Sequence, residues 1–67
     1  MAKPGLRQRQ KASRRMNILK AARRHFQSKS YASVTIYDIA EEAEVSSVTV
    51  FNYFGSKAGL LLALAAE

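Results

Sequence analysis

The stretch TIYDIAEEAEVSSVTVFNYFGSK, Thr35 to Lys57, carries the same helix-start device twice within 23 residues. In the first copy Thr35 stands at an N-cap position and Asp38 three residues on, a carboxylate variant of the capping box. Val34 and Ile39 flank them at the two positions of a hydrophobic staple. In the second copy Ser46 is the N-cap and Val45 and Val50 are the staple, but Thr49 stands where Glu or Gln would complete the box. Between the caps, Ile36, Ile39, Ala40 and Ala43 recur at i, i+3, i+4 and i+7, which predicts a helix of two to three turns over Ile36 to Ala43. The second cap opens a short helix over Ser47 to Phe54. Two capped helices joined by a tight turn make an all-α helix-turn-helix unit, a shape that fits a DNA groove.

The faces of the second helix divide by chemistry. At about 100° per residue, Val50, Tyr53 and Phe54 fall together and are the expected core contact. Ser47, Val48, Phe51 and Asn52 fall on another face, which carries no charge. That face is the expected entrant into the major groove, which admits one α-helix. The helix start adds free backbone N–H groups and the positive end of a dipole, both suited to a phosphate oxygen. Tyr53 and Lys57 are candidates for further phosphate contacts, which position a protein without reading sequence. Each residue also has a plainer role. Thr35 and Ser46 cap helices without any ligand, Phe51 and Tyr53 fit a core, and Lys57 fits a solvated surface. Their joint placement at the tip of a turned helix pair favours the groove.

Working outward, residues 1–13 are basic, contain Pro4 and Gly5, and show no apolar period, so they are expected to form a flexible arm. Ser13 is the expected N-cap of a first long helix from about Arg14 to Ser28. Ile18, Leu19, Ala22 and Phe26 line one of its faces, and Arg14, Lys20, Arg23, Arg24 and Gln27 fill much of the rest. Residues 14–55 then form the DNA-binding unit. A last helix starts at Ser56 and carries Leu60, Leu61, Leu62 and Leu64 around its whole circumference. A helix apolar on all sides needs cover on all sides. Residues 56–67 are therefore expected to be the joint to a larger C-terminal domain that this chain lacks.

Charge is segregated. Residues 1–29 hold ten of the eleven Lys and Arg and no acid, whereas residues 30–67 hold Lys57 against Asp38, Glu41, Glu42, Glu44 and Glu67. A polyanion is the natural partner of such an N-terminal half, although a solubilising tail has the same composition. The chain has 67 residues and no cysteine, so it is one small domain without disulfides or a thiolate metal site. A lone His25 does not make a zinc site, no glycine loop cradles phosphate, and Asp38, Glu41 and Glu42 fit a cap and a solvated face. Neither a cofactor nor an enzymatic activity is expected. No apolar segment follows the basic N-terminus, so the chain reads as cytoplasmic. The alternative from a different class is a basic amphipathic segment that lies on a membrane surface. Acids standing between the basic and the leucine-rich helices argue against it.

From Arg14 to Glu67 the sequence resembles the N-terminal DNA-binding domain of the tetracycline-repressor (TetR) family of bacterial transcriptional regulators. The family pattern runs approximately T-x-x-x-I-A-x-x-A-G-V-S-x-G-T-L-Y-x-Y-F-x-x-K before a leucine-rich helix. It is matched by Thr35, Ile39, Ala40, Ala43, Val45, Ser46, Thr49, Tyr53, Phe54, Lys57, Leu60 and Leu61. The Ile18, Ala22, Phe26 face and Tyr31 resemble the family's first helix and its sequel. The resemblance implies a repressor that dimerises through a large helical C-terminal domain, binds a small-molecule effector there, and reads an inverted-repeat operator in double-stranded DNA. It further implies that Tyr37, Ser47, Val48 and Phe51 face bases, while Thr35, Ser46, Thr49, Asn52, Tyr53 and Lys57 hold the DNA backbone. Four positions depart from the pattern. Glu44 occupies the turn glycine, Ser30 the glycine before Tyr31, Val48 a common glycine of the reading face, and Phe51 a frequent tyrosine. If the turn needs a positive φ, Glu44 is strained by roughly 1–2 kcal/mol.

Overall fold

The computed structural model describes residues 6–66, with side chains from residue 12 onward. Among the described residues there are four α-helices, one 3-10 turn and no strand: α1 (Leu6–Ser28), the turn Tyr31–Ser33, α2 (Ile36–Glu42), α3 (Ser47–Phe54) and α4 (Lys57–Ala65). The all-α, helix-turn-helix expectation holds. The first helix differs from its reading. It runs from Leu6, so Ser13 lies inside it and caps nothing, and the expected arm over 1–13 is helical from residue 6 onward. The reason lies in propensity rather than period. Leu6, Arg7, Gln8, Arg9, Gln10, Lys11 and Ala12 are all strong helix formers, and Pro4 and Gly5 precede them. The part of the expected arm before residue 6, like Glu67, lies outside the described residues.

One core holds the helices. Ile18, Leu19, Ala21 and Ala22 of α1 meet Val34 ahead of α2, Ile36, Ile39 and Ala40 of α2, Val50 of α3 and Leu60 of α4. Phe26, Ala43, Val45, Tyr53, Phe54 and Leu64 pack around this centre. Both staples close as read. Val34 and Ile39 are buried together, and Val45 packs onto the cluster that contains Val50. Each cap closes as well: Thr35 Oγ1 accepts from Asp38 N at 3.1 Å, Ser46 Oγ from Thr49 N at 3.1 Å, and Ser56 Oγ from Gly59 N at 3.0 Å. At the second cap the Thr49 hydroxyl lies 3.0 Å from Ser46 Oγ, so a hydroxyl pair stands where the box carboxylate is missing.

The α2–α3 turn is a Schellman motif. Val45 N–H donates to Ala40 O at 3.0 Å and Glu44 N–H to Glu41 O at 3.2 Å, leaving Glu44 in the left-handed region at φ 59°. Glutamate thus does what the glycine of the family pattern would do without a Cβ penalty. At the next junction Gly55 holds φ 79°, and its N–H donates to Phe51 O at 2.7 Å, ending α3. Four residues later Gly59 serves packing instead: a Cβ there would run into the Phe54 carbonyl oxygen. The chain bends by 55° between α3 and α4, and no single described helix is long and apolar enough to cross a membrane.

Candidate nucleic-acid interface

Helix α3 faces the core through Val50, whose side chain is fully buried, and through the half-buried Tyr53 and Phe54. This is the face assigned to the core from helical spacing. Tyr53 and Phe54 lie with ring centroids 6.1 Å apart, and the Arg15 guanidinium of α1 covers the Phe54 ring at 5.4 Å. The opposite face is open: Val48 is 64% exposed and Phe51 47% exposed. Asn52 is exposed beside them and Ser47 is half-buried at the helix start. Tyr37, near the start of α2, is 72% exposed. The four residues assigned to bases are therefore accessible, and three of them are large apolar or aromatic side chains standing in solvent.

The residues assigned to the DNA backbone fall into two groups. Thr35, Ser46 and Asn52 are exposed, while Thr49 and Tyr53 are half-buried. Thr35 and Ser46 spend one acceptor on their caps and retain further hydrogen-bonding capacity toward solvent. Lys57 has another occupation. Its ammonium donates to Tyr31 O at 2.8 Å and to Val34 O at 2.9 Å, and it lies 4.4 Å from the centroid of the Tyr31 ring. Tyr31 in turn stacks on Phe26 of α1 at 5.7 Å. Lys57 therefore ties the first turn of α4 to the segment that leads into the Thr35 cap.

Electrostatics around α3 follow from where the acids go. Glu42 faces α1, with Oε2 3.3 Å from Arg24 Nη1 and Oε1 3.2 Å from His25 Nε2. An open groove between α1 and the α2–α3 turn is lined by Arg14, Lys20, Arg23 and Arg24 of α1 together with Glu42 and Glu44. The two acids lie on the turn side of the groove and offset part of the positive charge of α1. Helix α3 itself, SVTVFNYF, holds neither acid nor base.

Sequence reasoning missed three things. The Lys57 anchor depends on two carbonyls more than 20 residues away, which no local pattern displays. The stacking of Arg15 on Phe54 is likewise long-range. Gly59 did leave a signal, since a glycine within an otherwise apolar helical run often marks close backbone approach.

Two comparisons with known proteins bear on this geometry. The family model described as bacterial regulatory proteins, tetR family, matches residues 18–64, which takes in the core of α1, both helices of the turned pair and nearly all of α4. The chain is also 42% identical over 48 residues to the HTH-type transcriptional regulator HbdR of Aromatoleum sp. (strain CIB). That alignment covers 72% of this chain and 21% of the relative, so the chain spans about a fifth of the relative's length. No solved structure matches the chain significantly. A capped helix pair with an open, uncharged face is matched across its whole extent by one family, and the chain belongs to the TetR family of bacterial regulatory proteins.

Proposed function

We propose that this chain is the sequence-reading head of a cytoplasmic repressor, placing α3 in the major groove of double-stranded DNA. The observation that carries the reading is the division of α3, with Val50 sealed in the core and Val48 and Phe51 left uncovered three residues apart. In this reading Tyr37, Ser47, Val48 and Phe51 face bases. Thr35, Ser46, Thr49, Asn52 and Tyr53 hold phosphates, and the basic α1 adds attraction to the duplex. Lys57 acts from behind the interface by holding α4 against the entry to α2. The proposed action is binding rather than catalysis.

The longer protein would be a homodimer with a small-molecule effector site in a C-terminal domain, and its two heads would read an inverted repeat. Leu61 at 43% exposure and Leu62 at 71% on α4 supply an apolar surface suited to packing against such a domain.

The test is selection of bound duplexes from a random DNA pool, followed by titration at several salt concentrations. With roughly three to five phosphate contacts per head, log K is expected to fall with log salt at a slope of about −3 to −5. Phe51→Ala should relax base preference, whereas Asn52→Ala should lower affinity for all sequences alike. Salt-insensitive binding, or retention on anionic vesicles with no duplex retained, would reject the reading.

A further inference from the structure

We infer that the half-site read by α3 is organised around thymine C5-methyl groups, gripped by Val48 and Phe51, and not around guanines. The inference rests on the proposed entry of α3 into the major groove and adds what that helix looks for there.

The first support is the chemistry that α3 lacks. Guanine presents two acceptors in the major groove, N7 and O6, and the side chains that match them are Arg and Lys. Ser47 to Phe54 contains neither. Two cations that approach this region are already engaged: Lys57 with the Tyr31 and Val34 carbonyls, and Arg15 on the Phe54 ring. The Ser46 and Thr49 hydroxyls face one another at 3.0 Å within the cap. Phe51, where a tyrosine is frequent, has no hydrogen to donate.

The second support is what α3 displays instead. Val48 and Phe51 are 64% and 47% exposed although the same helix buries Val50 completely. The four base pairs offer the major groove one apolar group between them, the thymine methyl. Two adjacent apolar side chains on an uncharged helix face complement that group and no other base edge.

Spacing narrows the pattern. Residues three apart on a helix rise about 4.5 Å along its axis and lie about 5–6 Å apart at Cβ. Base pairs in duplex DNA are separated by about 3.4 Å. Val48 and Phe51 therefore reach methyls on adjacent or next-but-one base pairs, on either strand. The half-site should hold two thymines at that separation.

Replacement of thymine by deoxyuridine removes the C5-methyl and leaves base pairing unchanged, so it isolates this contact. Duplexes selected by this chain from a random pool are resynthesised with each thymine changed in turn. Two positions, one or two base pairs apart, should each lose about three- to tenfold in affinity, the loss expected for one buried methyl. Val48→Ala should abolish the sensitivity at one position and Phe51→Ala at the other, while the remaining thymines stay silent. Undiminished affinity after every replacement, or a selected consensus whose essential pairs are G·C, overturns the inference and leaves DNA binding intact. If both alanine variants change self-association and leave every duplex affinity unaltered, the patch is a protein interface and the inference also falls. Failure to retain any duplex at low salt would instead reject the major-groove reading itself.

Discussion

Helices α2 and α3 start alike and end up in different places. Each opens on a hydroxyl cap, Thr35 or Ser46, and each is preceded by a valine that packs inward. Helix α2 then buries Ile36, Ile39 and Ala40, whereas α3 buries Val50 alone and leaves Val48 and Phe51 in solvent. The local device sets where a helix begins and how the chain enters it. Burial is set by how many neighbours surround the helix. Helix α2 lies between α1 and α3, so its apolar stripe is covered, while α3 has the body of the domain on one side only. The pair teaches that capping chemistry makes helices and that position in the bundle decides which of them remains free to bind.

The sharpest way to break the comparison is to truncate one apolar residue in each helix. Ile39→Ala removes a fully buried side chain and should cost about 2–5 kcal/mol, enough to leave a domain of this size largely unfolded by circular dichroism. Phe51→Ala should change stability by no more than about 0.5 kcal/mol while lowering affinity for the selected duplex. Equal melting temperatures for the two variants would erase the distinction between scaffold and reader.

The junction after α3 separates two kinds of glycine. Gly59→Ala drives a Cβ into the Phe54 carbonyl and should destabilise by about 1–3 kcal/mol through displacement of α4. Gly55→Ala meets no atom, and only its left-handed backbone is penalised, by about 1–2 kcal/mol. Urea denaturation of both variants ranks them, and a milder effect at Gly59 than at Gly55 would contradict the close approach.

Lys57→Met asks whether α4 is anchored to the α2 entry by this ammonium. Loss of two charge-assisted bonds at a half-buried site should lower stability by about 1 kcal/mol and leave the salt dependence of DNA binding unaltered. A phosphate contact would behave in the opposite way, with an unchanged melt and a salt slope shallower by about 0.9.

The smallest effect is expected in the turn that joins the pair. Glu44→Gly relieves a side chain held at φ 59° and should stabilise by about 0.5–1 kcal/mol, the relief being partly offset by the greater chain entropy of glycine. For a domain of this size the melting temperature should rise by about 2–8 °C. An unchanged or lower value would show that the left-handed turn stores no strain.

Much of this was legible in advance because it is local. The caps at Thr35, Ser46 and Ser56, the staples and the apolar stripe of α2 each depend on residues within seven positions of one another, and those are the parts that came out as read. Helix α1 starts earlier than its apolar period indicates because residues 6–12 have helix propensity without an amphipathic pattern. Lys57 illustrates the other limit. Its carbonyl partners at Tyr31 and Val34 become neighbours only after α1, α2 and α4 have packed.

By itself the amino-acid order determined where helices begin, which side of each is apolar, and that one N-terminal half is basic, since those properties follow from spacing along a single strand of chain. Only the tertiary arrangement decided that Lys57 is an anchor and that Gly59 is needed where α4 meets the end of α3. Each of these depends on which distant atoms arrive beside a residue, and that is settled by packing rather than by neighbours in sequence.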